Sequence, residues 1–195
     1  MKKYTFLTIA LLFGILFQSY SQHVIKPSGE IITKEYDFTG FTALNISNDF
    51  KAYVTFTDEG EKVSIEADDN LQEHIYVEMD GNTLKIRFKN NFNIRGKETL
   101  KAYISVKMIN DFVASADSEI YLENKLETNF VKIKLSGDSK FEGALEIKEM
   151  DIDLKGDSKM TATGNVKELK AKLKGDSIFE NYDCIVNKLD INLKG

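Results

Sequence analysis

The chain has 195 residues, 42% of them hydrophobic, which suffices for one compact domain or two small ones sharing a core and excludes wholesale disorder. Lys and Arg number 26 against 31 Asp and Glu, for a net charge of −5, a balance that disfavours nucleic acid and anionic membrane surfaces as partners. Cys184 is the single cysteine, so no intramolecular disulfide can form, and it reads as a buried, inert thiol.

Residues 1–21 read as a secretory signal. Lys2 and Lys3 form a positive start, Tyr4 to Phe17 an apolar run, and Ser19 and Ser21 the small residues before a cut ahead of Gln22. The run is short for a spanning helix, and polar Gln18, Ser19, Ser21 and Gln22 follow at once, so no stable membrane span is expected after removal. No Cys lies near the cut to carry a lipid. Without its two leader lysines the mature chain would have 24 basic and 31 acidic residues, a net of about −7. Residues 22–30 read as an N-terminal tail.

From Ile31 the apolar residues alternate with period two, the signature of strands. Ala52, Val54 and Phe56, then Val63, Ile65 and Ala67, read as the arms of a hairpin about Asp58-Glu59-Gly60-Glu61. A second hairpin runs from Ile75, Val77 and Met79 through Asp80-Gly81-Asn82 to Leu84, Ile86 and Phe88. Asp-Gly between alternating runs marks such a turn because Gly tolerates a positive φ. Asn90-Asn91-Phe92-Asn93 to Gly96 reads as a loop and Leu100 to Met108 as a strand. No helical period stands out beyond the leader.

The second half repeats. Ala116-Asp117-Ser118, Gly137-Asp138-Ser139, Gly156-Asp157-Ser158 and Gly175-Asp176-Ser177 share one motif, and Lys194-Gly195 begins a fifth, at intervals of 21, 19, 19 and 20 residues. Four positions after each Ala or Gly stand Ile120, Phe141, Met160 and Phe179. Before each following motif comes an apolar triplet: Val131, Ile133, Leu135; Met150, Ile152, Leu154; Leu169, Ala171, Leu173; Leu189, Ile191, Leu193. A period near 20 with strand-type alternation predicts a β-solenoid with one coil per repeat, since no repeat can bury its apolar face alone. A β-sandwich of tandem hairpins explains the alternation but not the spacing. The expected fold is therefore all-β, a single-domain β-solenoid over 114–195 with a hairpin-rich N-terminal cap over 31–113. The chain stops inside a repeat, which leaves a last edge near Gly195 open to self-association.

Phe41-Thr42-Ala43-Leu44, Asp80-Gly81-Asn82-Thr83-Leu84-Lys85-Ile86 and the Leu-x-Gly-Asp-Ser blocks resemble the putative auto-transporter adhesin, head GIN domain family, from about Ile31 to Gly195. The resemblance implies an all-β, solenoid-like fold, secretion or a surface location in a Gram-negative bacterium, and no catalytic residues. That family usually continues through further Gly-Ser-rich repeats, which this sequence lacks.

Among candidate sites, Asp117, Asp138, Asp157 and Asp176 should stack in a column, with Ser118, Ser139, Ser158 and Ser177 beside them. Stacked carboxylates repel and could be relieved by calcium, which takes such oxygen ligands. The preferred reading is a column of turns in which each Asp accepts backbone amides and Lys155, Lys174 and Lys194 screen the charge. The calcium-binding nonapeptide of β-rolls is absent. Of the histidines, His23 falls in the tail and His74 lacks a Ser or Cys motif to serve. Arg87 and Arg95, the only arginines, lie outside the repeats, which disfavours a β-helix polysaccharide lyase. Tyr103, Tyr121 and Tyr182 could meet a glycan or protein partner, or simply pack. The sequence thus points to an exported, non-enzymatic, adhesin-like binding module without cofactor, in the periplasm, on the outer-membrane surface or outside the cell. A scaffold assembling end to end and a carbohydrate-active enzyme are the alternatives.

Overall fold

The computed structural model describes residues 24–89 and 93–195, without the side chains of 182–184. The leader, His23, residues 90–92 of the expected loop and the side chains of Tyr182 and Cys184 lie outside the described residues. The protein is a single all-β domain whose main sheet gathers thirteen strands and curls into a half-barrel.

The C-terminal half holds β10 (Asp111–Ser115), β11 (Glu119–Leu122), β12 (Leu126–Ser136), β13 (Lys140–Lys155), β14 (Lys159–Lys174) and β15 (Ile178–Lys194). They pair parallel, each repeat lying on the next at the interval read from the sequence. Ile120 faces Phe141, Phe141 faces Met160, and Met160 faces Phe179. The triplets also stack as expected, Ile133 on Ile152, Ala171 and Ile191. Each strand alone exposes one apolar face, and stacking turns these faces into buried columns. Phe141 and Met160 are buried and Phe179 half-buried, whereas Leu189, Ile191 and Leu193 on the outermost strand are 57%, 47% and 66% exposed.

The same parallel order runs on into the N-terminal half. There β3 (Ala43–Ser47) pairs with β10 and β4 (Lys51–Phe56) with β11, so Ser47-Asn48-Asp49-Phe50 is a further turn of the stack, without the Gly-Asp-Ser signature. One expected hairpin does form: β6 (Ile75–Asp80) and β7 (Thr83–Phe88) pair antiparallel about Gly81, and β7 then joins β3 in parallel.

The other does not. β5 (Lys62–Asp68) is separated from β4 by β9 (Leu100–Val106), which pairs parallel to β4 and antiparallel to β5. Alternation identified both strands, but a four-residue polar turn could not reveal that a later strand would come between them. The outer partner of β5 is β2 (Ile31–Tyr36). The expected tail and loop are partly ordered as well: β1 (Val24–Ile25) pairs in parallel with β8 (Asn93–Ile94). A single helical turn, α1 (Asp69–Gln72), follows β5, too short to show a period in the sequence.

Candidate functional site

Gly137, Gly156 and Gly175 adopt φ between 73° and 75°, and Ala116 takes φ 59° at the same place, a conformation that glycine enters without steric cost. Asp117, Asp138, Asp157 and Asp176 do line up at the turns, all exposed. The capping role expected of them belongs to the serines. Ser118 Oγ accepts the Ser115 N–H at 3.0 Å, Ser139 Oγ that of Ser136 at 3.0 Å, and Ser158 Oγ that of Lys155 at 3.2 Å. Ser139 Oγ also donates to the Ala114 carbonyl at 3.2 Å, tying its turn to the strand before it, whereas Ser118 Oγ donates to the Ser115 carbonyl of its own turn at 2.8 Å. These three serines are fully buried, a hydrogen-bonded column inside the stack rather than surface groups beside the carboxylates. Lys155 pairs with Asp153 at 3.0 Å on its own strand. Among the described residues, no three His, Cys, Asp or Glu side chains are gathered to hold a metal. His74 sits beside Glu73, Nε2 to Oε1 3.7 Å.

At the start of the stack Asp49 lies under Asp117, within 450 Å³ of open space that Glu98, Lys97 and Lys101 also line. Partial burial, then the charge of Asp117 and that of Glu98, push the Asp49 carboxyl above its ordinary value.

The more developed surface is a strip of tyrosines. Tyr103 on β9, Tyr53 on β4 and Tyr121 on β11 share one register across the parallel strands. Their rings stack with centroids 5.4 and 5.5 Å apart and planes within 19° and 15°. Tyr103, the outer ring, is 39% exposed. Two residues back along each strand, on the same face, runs a row of charges, Lys101, Lys51 and Glu119, that holds the strip. The Glu119 carboxylate receives Lys51 Nζ at 2.8 Å, Lys140 Nζ at 3.3 Å and the Tyr121 hydroxyl at 2.5 Å. Burial opposes the charge on Glu119, but the bonds from Lys51, Tyr121 and Lys140 outweigh it and keep the carboxyl below its usual range. Burial, then the bond to Glu119, drives the Tyr121 phenol well up. Lys101 is bound to Glu66 at 2.7 Å, and that bond raises its ammonium.

The sequence offered Tyr103 and Tyr121 as contact residues, and the fold brings them together. It missed Tyr53, which completes the strip. That residue sits 50 and 68 positions away, and only the pairing of β4 with β9 and β11 joins the three. Rigid, amphipathic rings supply contact area at low entropic cost, and fixed ammonium and carboxylate groups nearby can meet hydroxyls.

Residues 40–195 of this all-β, curled-sheet domain match the family model described as "Putative auto-transporter adhesin, head GIN domain". The chain belongs to that family. The fold resembles that of a putative adhesin from Bacteroides fragilis, with a TM-score of 0.80 and 20% identity over 87% of this chain and 78% of that one. It also resembles a putative adhesin from Parabacteroides merdae (TM-score 0.74, 15% identity, 89% and 81% covered) and a putative lipid binding protein from Parabacteroides distasonis (0.71, 16%, 87% and 81%). No curated protein matches. Family membership supports an adhesin-like surface module. No helix among the described residues is long and apolar enough to cross a membrane.

Proposed function

We propose that this protein is an exported, non-enzymatic adhesin-like module, a β-solenoid of about 20 residues per coil that grips an extended glycan with its tyrosine strip. The observation that carries the reading is the Tyr103–Tyr53–Tyr121 stack, held on an exposed face by the bonds around Glu119. A pyranose can lay its apolar C–H face against Tyr103, while Lys101 and the phenol hydroxyls take its polar edge. The ligand, the cell-surface address and the absence of catalysis belong to this proposal.

The test is binding of the purified protein to an array of immobilised neutral oligosaccharides. Retention should fall at least tenfold in Tyr103→Ala, with little change in the melting temperature because that ring is partly exposed. Retention unchanged in Tyr103→Ala, or capture by no neutral sugar, would refute the assignment; binding to protein alone would move it to a protein ligand.

A second reading, assembly of copies along β15, is favoured by one observation. Among the described residues that strand pairs only with β14, and it exposes Ile178, Ile185, Leu189, Ile191 and Leu193, the kind of edge on which strands add.

A further inference from the structure

A second surface, on the other arm of each repeat, has a different chemistry. The outward side chains of β12, β13, β14 and β15 change sign strand by strand. Lys132 faces Asp151, which faces Lys170, which faces Asp190; beside them Lys134 faces Asp153 and Asp153 faces Lys172. Together they line a groove of about 290 Å³.

The four lysines do not close onto the acids between them. Among the described residues none of Lys132, Lys134, Lys170 and Lys172 makes an ion pair, so each ammonium is available to a ligand. Asp153 gives Oδ2 to Lys155, but its Oδ1 is buried without a hydrogen-bond partner. That oxygen is closed to solvent, so the 29% of the Asp153 side chain that is exposed is what a ligand can reach. The groove therefore offers cations on one strand, acceptors on the next and cations again on the third.

Neighbouring strands lie roughly 4.8 Å apart, so the two lysine pairs stand roughly 9.6 Å from each other. A single sugar ring is too short to carry an anion to both pairs, whereas the repeat of a disaccharide spans two strands. We propose that this groove binds an extended acidic glycan in which charged and uncharged sugars alternate. The anions of successive repeats sit on Lys132 with Lys134 and on Lys170 with Lys172. The uncharged sugar between them donates its hydroxyls to Asp151 and Asp153. A polymer with an anion on every sugar would set charges over those two carboxylates and be rejected, so the acids between the lysines provide discrimination. With acidic residues outnumbering basic ones over the whole chain, attraction at long range does not supply the binding; the groove must supply it locally.

The site shares no residue with the tyrosine strip, and its test is separable from that of the strip. The purified protein is titrated calorimetrically, at physiological salt, with an oligosaccharide of alternating glucuronate and N-acetylglucosamine, with a homopolymer of galacturonate, and with uncharged dextran. The alternating oligosaccharide should bind at least tenfold more tightly than either of the others. Lys172→Glu, at an exposed position, should weaken it at least tenfold with an unchanged melt; Lys172→Gln gives the same reading if the charge reversal disturbs the fold. Tyr103→Ala should leave this affinity intact. Equal affinity for the galacturonate homopolymer would reduce the groove to a basic patch and overturn the proposal. So would failure of the alternating oligosaccharide to bind, or indifference to both Lys172 variants.

Discussion

The turn at Asn48-Asp49-Phe50 and those at Gly137, Gly156 and Gly175 hold the same place in the stack, yet they are built differently. The later turns each use one left-handed glycine, with a serine two residues on. Ser139 and Ser158 are buried and bond their own turns, Ser139 also bonds the strand before it, and the half-buried Ser177 bonds the Leu154 carbonyl of an earlier strand. The first uses two left-handed residues, Asn48 at φ 65° and Asp49 at φ 62°, and fills the serine's place with Phe50, which packs on Phe88 at 5.7 Å. In the later repeats like sits on like, so one solution serves every layer. At the start of the stack the chain must also receive the β6–β7 hairpin, and a large ring fills the wider space. The repeat is thus a geometry that several sequences can satisfy.

The comparison breaks most sharply in the apolar column of the regular half. Met160→Asp puts a charge between Phe141 and Phe179, where no partner can reach it, and should cost several kcal/mol. Its neighbour Lys159 is bound to Glu180 at 2.8 Å on the surface, and Lys159→Gln should cost about half a kcal/mol or less. Chemical denaturation of the two variants checks this; similar midpoints would mean that the column is not the core.

A smaller effect is expected from the serine column. Ser139→Ala leaves the Ser136 N–H without its acceptor inside the protein, at about 1–3 kcal/mol. The exposed Asp138 next to it should tolerate Asn with almost no change. If Ser139→Ala melts with the parent, the serines are not what fastens the turns.

The smallest effect belongs to the irregular turn. Because the folded state raises the Asp49 carboxyl, folding favours its proton, and the ionised form costs stability above the ordinary carboxylate range. Asp49→Asn keeps a residue suited to a positive φ and removes that charge. The variant should melt slightly above the parent at neutral pH, and the gap should close as the pH falls below the ordinary carboxylate value. A gap that stayed constant, or widened in acid, would show that the charges of Asp117 and Glu98 do not act on this site.

Much of the fold was legible in the residues themselves. Spacing near 20 placed Ile120, Phe141 and Met160 in one buried column, because a strand points alternate side chains the same way and each repeat returns the chain to the same point. Asp-Gly at 80–81 marked its hairpin because local backbone strain decides such turns. What the tertiary structure alone decided lies wherever strands distant in sequence become neighbours. β9 enters between β4 and β5, and the same event lays Tyr103 against Tyr53 to make the strip. Ser47 to Phe50 joins the stack without its signature, since a bulky ring can do there what a hydrogen-bonded serine does later. Which polar member of each Gly-Asp-Ser turn goes inside was also settled by packing. A serine hydroxyl is small enough to be buried with its bonds satisfied, whereas an aspartate in that column would be buried with its charge uncompensated, and so Asp138 faces water while Ser139 does not.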